Sequence, residues 1–271
     1  MTDTPTDKLM TTPAATPIPA ATILLLRDGS AGLEVFMVVR HHQIDFASGA
    51  LVFPGGKVDP QDTDPGVLAR LAAYPNATPT QSQLRAAAIR EAFEESGILL
   101  ARPVGNAGFA AAGAHVDAWR HGLNAQSLTL SDVLALGDLQ LACDALLHFA
   151  QWITPPIMPK RFDTHFYLAR VPAEQVAAHD GHENIDSLWI TPQQAVADAQ
   201  AGSRTIIFPT LANLIRLAQY ASVDDALAGA AAMPVVPVLP WTEQRADGNT
   251  LCIRTDAGYS FTEQKFQGAR P

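Results

Sequence analysis

The stretch Arg90-Glu91-Ala92-Phe93-Glu94-Glu95-Ser96-Gly97-Ile98 constrains this chain more than any other. An α-helix turns about 100° per residue, so Glu91, Glu94 and Glu95 stand at i, i+3 and i+4. They share one face over an arc of roughly 100°. Ile89 and Phe93 fall on the opposite side, where a core-facing stripe belongs. Acidic triplets on helices are usually solvated surface, and like charges at this spacing weaken a helix. A hard divalent ion such as Mg²⁺ or Mn²⁺, which prefers carboxylate oxygen, would supply the missing positive charge. The ends of the helix are also written in the chain. Thr78-Pro79-Thr80-Gln81 offers an N-cap, a proline at the first helical position and a capping-box glutamine, and Thr80 with Gln83 offers a second start. Gly97 supplies a C-terminal glycine stop.

Upstream lies Phe53-Pro54-Gly55-Gly56-Lys57-Val58-Asp59. Together the two stretches resemble the box of the Nudix hydrolases, Gly-x5-Glu-x7-Arg-Glu-apolar-x-Glu-Glu-x-Gly-apolar. Arg90 to Ile98 meet the second half at every specified position, and Asp62 stands six residues after Gly56 where Glu is usual. Between Asp62 and Arg90 there are 27 residues where the pattern has seven. Pro65, Gly66, Pro75, Asn76 and Pro79 punctuate this insert, which reads as loop with a short helix around Val67 to Ala73. Gln151-Trp152-Ile153-Thr154-Pro155-Pro156, then Pro159 to Thr164, resemble the branch that contains peroxisomal acyl-coenzyme A diphosphatase, whose box is also interrupted. Phe46 to Gly56 fit the same branch. The resemblance covers about residues 20 to 220.

It implies an α/β fold, a Nudix-type α/β/α sandwich with a mixed sheet, one loop insertion (63–82) and one helical insertion (102–150). A tail (1–19) precedes the domain (20–222), and an extension (223–271) packs on it. The implied activity is metal-dependent hydrolysis of a nucleoside diphosphate derivative, with coenzyme A or acyl-coenzyme A as first substrate. ADP-ribose or an NADH-type dinucleotide is the enzymatic alternative, and a non-catalytic ligand sensor the other. By resemblance Gly55, Glu91, Glu94 and Glu95 hold Mg²⁺ or Mn²⁺, Gly55 through its carbonyl. Glu91 is the first choice of general base and Glu183 the alternative, with Asp186 and Glu174 as rivals to Glu183 for an extra carboxylate. Arg90 orients Glu91 or the glycine loop. Arg40, Lys160, Arg161 and Phe162 are the substrate-binding candidates, and Asp62 pairs with the helix or a metal-bound water.

Composition sets the outer limits. A formal charge of −9 with no basic run argues against a nucleic-acid backbone or an anionic membrane as partner. At 48% apolar and 17% charged, the chain can bury a sizeable core over its 271 residues. Cys143 and Cys252 lack metal-ligand spacing and read as buried free thiols in a reducing compartment. His41, His42, His165 and His182 form no ligand pattern. No secretory signal is visible, so the expectation is a cytoplasmic protein, with a homodimer as a family-based expectation. Neither a Gly-x-Ser-x-Gly elbow nor a P-loop occurs, which leaves serine-hydrolase and kinase chemistry without support.

Along the chain, Ala21–Leu26 and Leu33–Val39 read as a strand hairpin, Gly49–Phe53 and Pro159–Ala169 as strands. Residues 114–123, 131–136 and 139–149 read as helical pieces, with Leu139, Leu141, Leu146 and Phe149 on one face. Asp180–Asp186 reads as a polar loop, Ser187–Ile190 as a strand, and 192–201 and 209–220 as helices. From Met233 onward the chain reads as a β-hairpin turned at Asp247-Gly248.

Overall fold

The computed structural model describes residues 15–41, 49–72, 77–181, 183–246 and 248–266. His42, Asp45, Phe46, Ala73, Pro75, Asn76, His182, Asp247 and the tail up to residue 14 therefore lie outside the described residues. In chain order the first elements are β1 (Ile18–Gly29), β2 (Gly32–Arg40), β3 (Leu51–Val52), β4 (Gly55–Lys57), α1 (Pro65–Leu68), α2 (Pro79–Ser96) and β5 (Ala101–Pro103). Next come α3 (Ala114–Asn124), α4 (Leu130–Leu136), β6 (Leu139–Leu141), β7 (Leu147–Ile153), β8 (Phe162–Arg170) and β9 (Asn184–Ile190). The chain ends with α5 (Pro192–Gln200), α6 (Phe208–Leu217), α7 (Val223–Ala231), β10 (Pro237–Val238), β11 (Trp241–Arg245), β12 (Gly248–Cys252) and β13 (Glu263–Phe266).

One mixed sheet of eight strands organises the rest, in the order β10-β7-β8-β1-β2-β3, with β4 on β1 and β9 on β2. β1 is its spine. It runs parallel to β8 from Ile18↔Phe162 to Leu26↔Arg170, and antiparallel to β2 through the expected hairpin. Nearer its start β1 parts from β2 and takes β4 instead, at Ala20↔Lys57, Ala21↔Gly56 and Thr22↔Gly55. Both faces of β1 are covered, so its apolar run is nearly continuous. Ala21, Ile23 and Leu25 pack with Ile89 and Phe93 of α2 and with Leu123, Val133 and Leu141 of the segment after it. Leu24 and Leu26 pack on the other side with Leu214 and Leu217 of α6 and with Val223 and Ala226 of α7. This is the three-layer α/β/α arrangement.

The helix carrying the acidic arc begins as its sequence dictates. Thr78 caps it, Thr78 and Gln81 form the reciprocal capping box, Pro79 stands in the first turn, and Gly97 ends it at φ 76°. Elsewhere the expectations are corrected. Residues 139–149 are not a helix: they form β6, a 3₁₀ turn at Cys143–Ala145 and the start of β7. Leu139 and Leu141 are two residues apart, which is a strand period, and β6 pairs with β5 at Pro103↔Leu139 and Ala101↔Leu141. The short helix of the first insert starts earlier than expected, at Pro65, because the Asp64 side chain caps it by accepting from the Gly66 amide at 2.7 Å. Strand β9 begins inside the stretch expected as a polar loop, β1 begins at Ile18 within the expected tail, and α7 has no counterpart among the expected helices.

The C-terminal segment meets the domain through a buried polar chain. Trp152 donates to the Tyr259 hydroxyl at 2.8 Å, and that hydroxyl donates to Asn213 at 2.8 Å. The turn of the expected hairpin falls on Asp247, but β11 and β12 pair as that reading requires. Cys143 and Cys252 are both buried free thiols. Among the described residues no helix is long and apolar enough to cross a membrane.

Candidate active site

Helix α2 crosses the sheet where β1 has exchanged β2 for β4, and this crossing builds the site. A Cβ added to Gly56 would come 2.4 Å from Glu91 Oε1, so the absence of a side chain is what lets the carboxylate rest on the strand. At Gly55 an added Cβ would meet the Ala21 carbonyl at 2.6 Å, and only glycine lets β4 lie so close to β1. The glycine pair is thus a packing requirement of the site.

Arg90 is the hub of the acidic cluster. Its Nε and Nη2 donate to the two oxygens of Asp62 at 2.8 and 3.1 Å, a bidentate pair across the first insertion. Its Nη1 donates to Glu91 at 3.0 Å and to Glu94 at 2.7 Å, and Nη2 also reaches the Lys57 carbonyl at 3.0 Å. Asp62 is fully buried, and its second oxygen also accepts from the Asp59 amide at 2.8 Å, closing a capping box around the turn Pro60–Thr63. The shorter Asp in place of Glu therefore works as the anchor of the arginine. Burial opposes the charge on Arg90, but the Asp62 hydrogen bond and the charges of Glu91, Asp62 and Glu94 outweigh it and raise its pKa.

The three glutamates all titrate high. Burial pushes Glu91 up to about 7, against the pull of Arg90 and with the help of Glu94. Glu94, more open, is raised in the same direction by burial. Glu95 is held well above its ordinary value: it is 5% exposed, and burial leads, with Glu91, Glu183 and Asp180 acting in the same direction and Arg40 opposing them. Among the described residues no hydrogen-bond donor or salt-bridge partner meets the Glu95 carboxylate.

The fit of a divalent ion follows from this donor set. Hard oxygen ligands are present, and buried carboxylates held in excess of nearby cations call for positive charge. A closed cage is not preformed: among the described residues no three His, Cys, Asp or Glu side chains converge on one point, because Arg90 stands between Glu91 and Glu94. Such a donor set suits a hard divalent ion that takes one or two carboxylates and completes its shell with water and substrate phosphate.

The other sequence candidates separate into two groups. Glu183 belongs with the site: its charge acts on Glu94 and Glu95, and its carbonyl accepts from the His41 amide at 2.8 Å. Arg40, at the end of β2, faces Glu95, and its buried Nε has no hydrogen-bond partner among the described residues. Lys160 and Arg161 precede β8 and Phe162 opens it, on the side of β1 away from β4. Phe162 pairs with Ile18 whereas Gly56 pairs with Ala21, so two strand spacings and three residues of offset, roughly 14 Å or more, separate them from the glycine pair. Arg161 is spent on the carbonyls of Thr154 at 2.9 Å and Ala15 at 2.7 Å, a structural employment. Lys160 lies over the Phe162 ring at 5.5 Å. Asp180, Arg120 and Asn124 were not singled out by sequence, yet all three touch or face the acidic end of α2. Arg120 and Asn124 are ordinary surface residues by composition, and nothing in a single sequence marks them.

Comparison with known proteins places this geometry. The family model of the NUDT19 Nudix domain matches residues 64–217. Putative nudix hydrolase 7 of Caenorhabditis elegans is 29% identical over 199 residues, 70% of this chain and 58% of that protein. Acyl-coenzyme A diphosphatase NUDT19 of Homo sapiens is 25% identical over 235 residues, covering 72% of this chain and 63% of that protein. The chain spans less than two thirds of the length of these curated relatives. The crystal structure of a NUDIX hydrolase from Alicyclobacillus acidocaldarius superposes with a TM-score of 0.68 at 26% identity, covering 81% of this chain and 99% of that one. With the box assembled around Arg90 and the family model spanning most of the domain, the chain belongs to the Nudix hydrolases.

Proposed function

We propose that this Nudix hydrolase is a metal-dependent diphosphatase that cleaves the phosphoanhydride of coenzyme A or an acyl-coenzyme A, releasing 3′,5′-ADP and phosphopantetheine or its acyl form. The reading is carried by one coincidence. The family model that matches is the one for the NUDT19 domain, over residues 64–217, which takes in the second half of the box, and Arg90 joins that half to Asp62 of the first half, just before the matched residues. Relatives at about a quarter identity bear the name acyl-coenzyme A diphosphatase.

Nudix hydrolases generally use divalent metal ions. Here Glu91, Glu94, Glu95 and the Gly55 carbonyl would hold Mg²⁺ or Mn²⁺, which when bound neutralises pyrophosphate oxygens and acidifies water. The chain's own residues supply the rest. Glu91, which burial raises to about 7 in the metal-free protein, is the first candidate to accept a proton from water. Glu183 is the second candidate for that proton. Arg90 fixes the rotamers of Glu91 and Glu94 rather than touching substrate. Arg40 faces Glu95 with an Nε that has no hydrogen-bond partner among the described residues, and a phosphate oxygen would satisfy it. Lys160 and Phe162 offer a cation and a ring to the more distant part of the substrate.

A mass-spectrometric product assay with Mg²⁺ or Mn²⁺ tests this, offering coenzyme A, acyl-coenzyme A, NADH, ADP-ribose and diadenosine polyphosphates, with Glu94→Gln as control. Release of 3′,5′-ADP that the variant loses supports the proposal. AMP from NADH or ADP-ribose alone moves the substrate to that class. Metal-independent binding of a ligand with no product from any of them points to a sensor.

A further inference from the structure

The insertion that follows the Nudix helix touches the site. We propose that Arg120, on insertion helix α3, is a positioning residue that locks the acidic end of α2 to the loop carrying Glu183. The inference rests on the roles proposed above for Glu94, Glu95 and Glu183.

A helix ends with carbonyls that have no partner in the next turn. At the end of α2 the Phe93 carbonyl is taken by the Gly97 amide. The Glu94 carbonyl is taken from outside, by Arg120 Nε at 3.0 Å and Asn124 Nδ2 at 3.2 Å. Arg120 and Asn124 are four apart on α3 and so share a face. The other arm of the same guanidinium, Nη2, donates to the Ala178 carbonyl at 2.9 Å, and the Ala178 amide donates to the Ser96 carbonyl at 2.9 Å. Ala178 is thus tied to the helix end twice, once directly and once through Arg120. Two residues on, the Asp180 carboxylate accepts the amides of Glu183 and Asn184 at 3.1 and 3.0 Å, which ties Glu183 to the same segment.

The chemistry suits arginine in particular. A planar fork serves two carbonyls on different segments at once, whereas an ammonium is a single point with no preset geometry. A cation here also opposes the negative end of the helix dipole. Gly97 makes room for it: an added Cβ would stand 3.1 Å from Arg120 Nη1, and φ of 76° already favours glycine there. Burial lowers the Arg120 pKa, with Asp180, Asp117 and Glu95 pulling the other way. That charge is therefore kept desolvated at the junction rather than left in water.

The test uses the full chain with Arg120→Met, Arg120→Lys and the milder Asn124→Ala, which removes one of the two bonds to the Glu94 carbonyl. Three quantities are read: Mn²⁺ affinity by electron paramagnetic resonance without substrate, kcat against KM, and Tm. We expect Arg120→Met to lower kcat roughly tenfold to a hundredfold with KM little moved, and to weaken Mn²⁺ binding roughly tenfold. Arg120→Lys should recover Tm more than kcat, and Asn124→Ala should show the same pattern more weakly. A fall in Tm with kcat and Mn²⁺ affinity as in the wild type would make Arg120 merely structural and overturn the proposal. If the wild type turns over none of the substrates, the functional reading fails, and Mn²⁺ affinity still decides the role of Arg120. A wild type that binds no Mn²⁺ overturns both.

Discussion

Arg85 and Arg90 sit on the same helix, less than two turns apart, and are almost equally buried at 3% and 4% exposure. Their surroundings differ completely. Arg85 donates to the carbonyls of Cys143 and Leu146 at 3.3 and 3.4 Å and lies 5.0 Å from the Tyr167 ring centre, next to the histidines of β7 and β8. Arg90 faces three carboxylates and a glycine-loop carbonyl. One buried cation fastens a loop by its carbonyls; the other holds an excess of negative charge in a defined shape. Burial alone therefore does not mark a functional arginine, and the charge it faces does. Like charges packed this closely in a protein interior are unfavourable unless a ligand completes them, so the Arg90 end has the properties of a site and the Arg85 end those of a brace.

The largest expected difference between the two ends comes from Arg90→Met. It leaves Asp62 fully buried without its cation, which costs about 3–5 kcal/mol by analogy with other broken buried pairs, and it frees Glu91 and Glu94 to repel. Denaturant unfolding should show that loss together with loss of turnover. Adding Asp62→Asn in the Arg90→Met background removes the stranded charge, so part of the stability should return while turnover does not. An Arg90→Met variant that unfolds no more easily than Arg85→Met would erase the distinction.

The sequence carries one side of this comparison better than the other. The acidic arc, the Thr78–Gln81 cap and the Gly97 stop are local features, and each has the same physical meaning in a peptide as in the fold. Arg90 is different. On a helical wheel it lies off the acidic arc, and only a long side chain bending back places its guanidinium between Glu91 and Glu94. Its main partner, Asp62, comes from the far side of the insertion and is brought close by β4 and the turn after it. Arg85 has no local mark in the sequence, because the carbonyls it meets lie 58 and 61 residues away, in a segment that carries an apolar pattern ambiguous between helix and strand. The same holds for Arg120 and Asn124, whose task depends on where α3 docks. What was legible was periodicity and capping; what was not was every contact made between elements distant in the chain.

The two ends also differ in the sign of their response to pH. Glu91 has a folded pKa of about 7, above its ordinary 4.5, so between these values the native state binds more protons than the unfolded chain. Its contribution falls as pH rises through that window, and Glu95, shifted the same way, extends it. Near Arg85, His148 is pushed down to about 4 by burial, His165 and Arg85. Its native state binds fewer protons below its ordinary 6.5, so its contribution is lost as pH drops from there towards 4. Each effect is on the order of 1–3 kcal/mol, and in the metal-free wild type they oppose one another. Glu91→Gln should steepen the rise of stability between about pH 4 and 6.5, and His148→Gln the fall between about 4.5 and 7. Slope changes of the same sign in both variants would contradict the assignment. Mn²⁺ binds the deprotonated carboxylates, so it should raise Tm more at alkaline than at acid pH, and chelation should remove that gain.

The smallest effect separates brace from site most cleanly. Arg85→Met keeps most of the side-chain volume over Tyr167 but leaves the Cys143 and Leu146 carbonyls short of a donor. Unsatisfied buried acceptors cost about 1–2 kcal/mol here, moderated by removal of a desolvated charge. The turn at Cys143–Ala145 and the entry of β7 should loosen, visible as faster amide hydrogen exchange at Leu146 and Leu147. The carboxylates lie beyond the next turn of the helix and keep their own cation, so kcat and KM should stay within about twofold of the wild type, since sites without shared partners act nearly independently. A large fall in kcat with only a small change in stability would mean that Arg85 reaches the site through α2, and that the helix works as one unit rather than two.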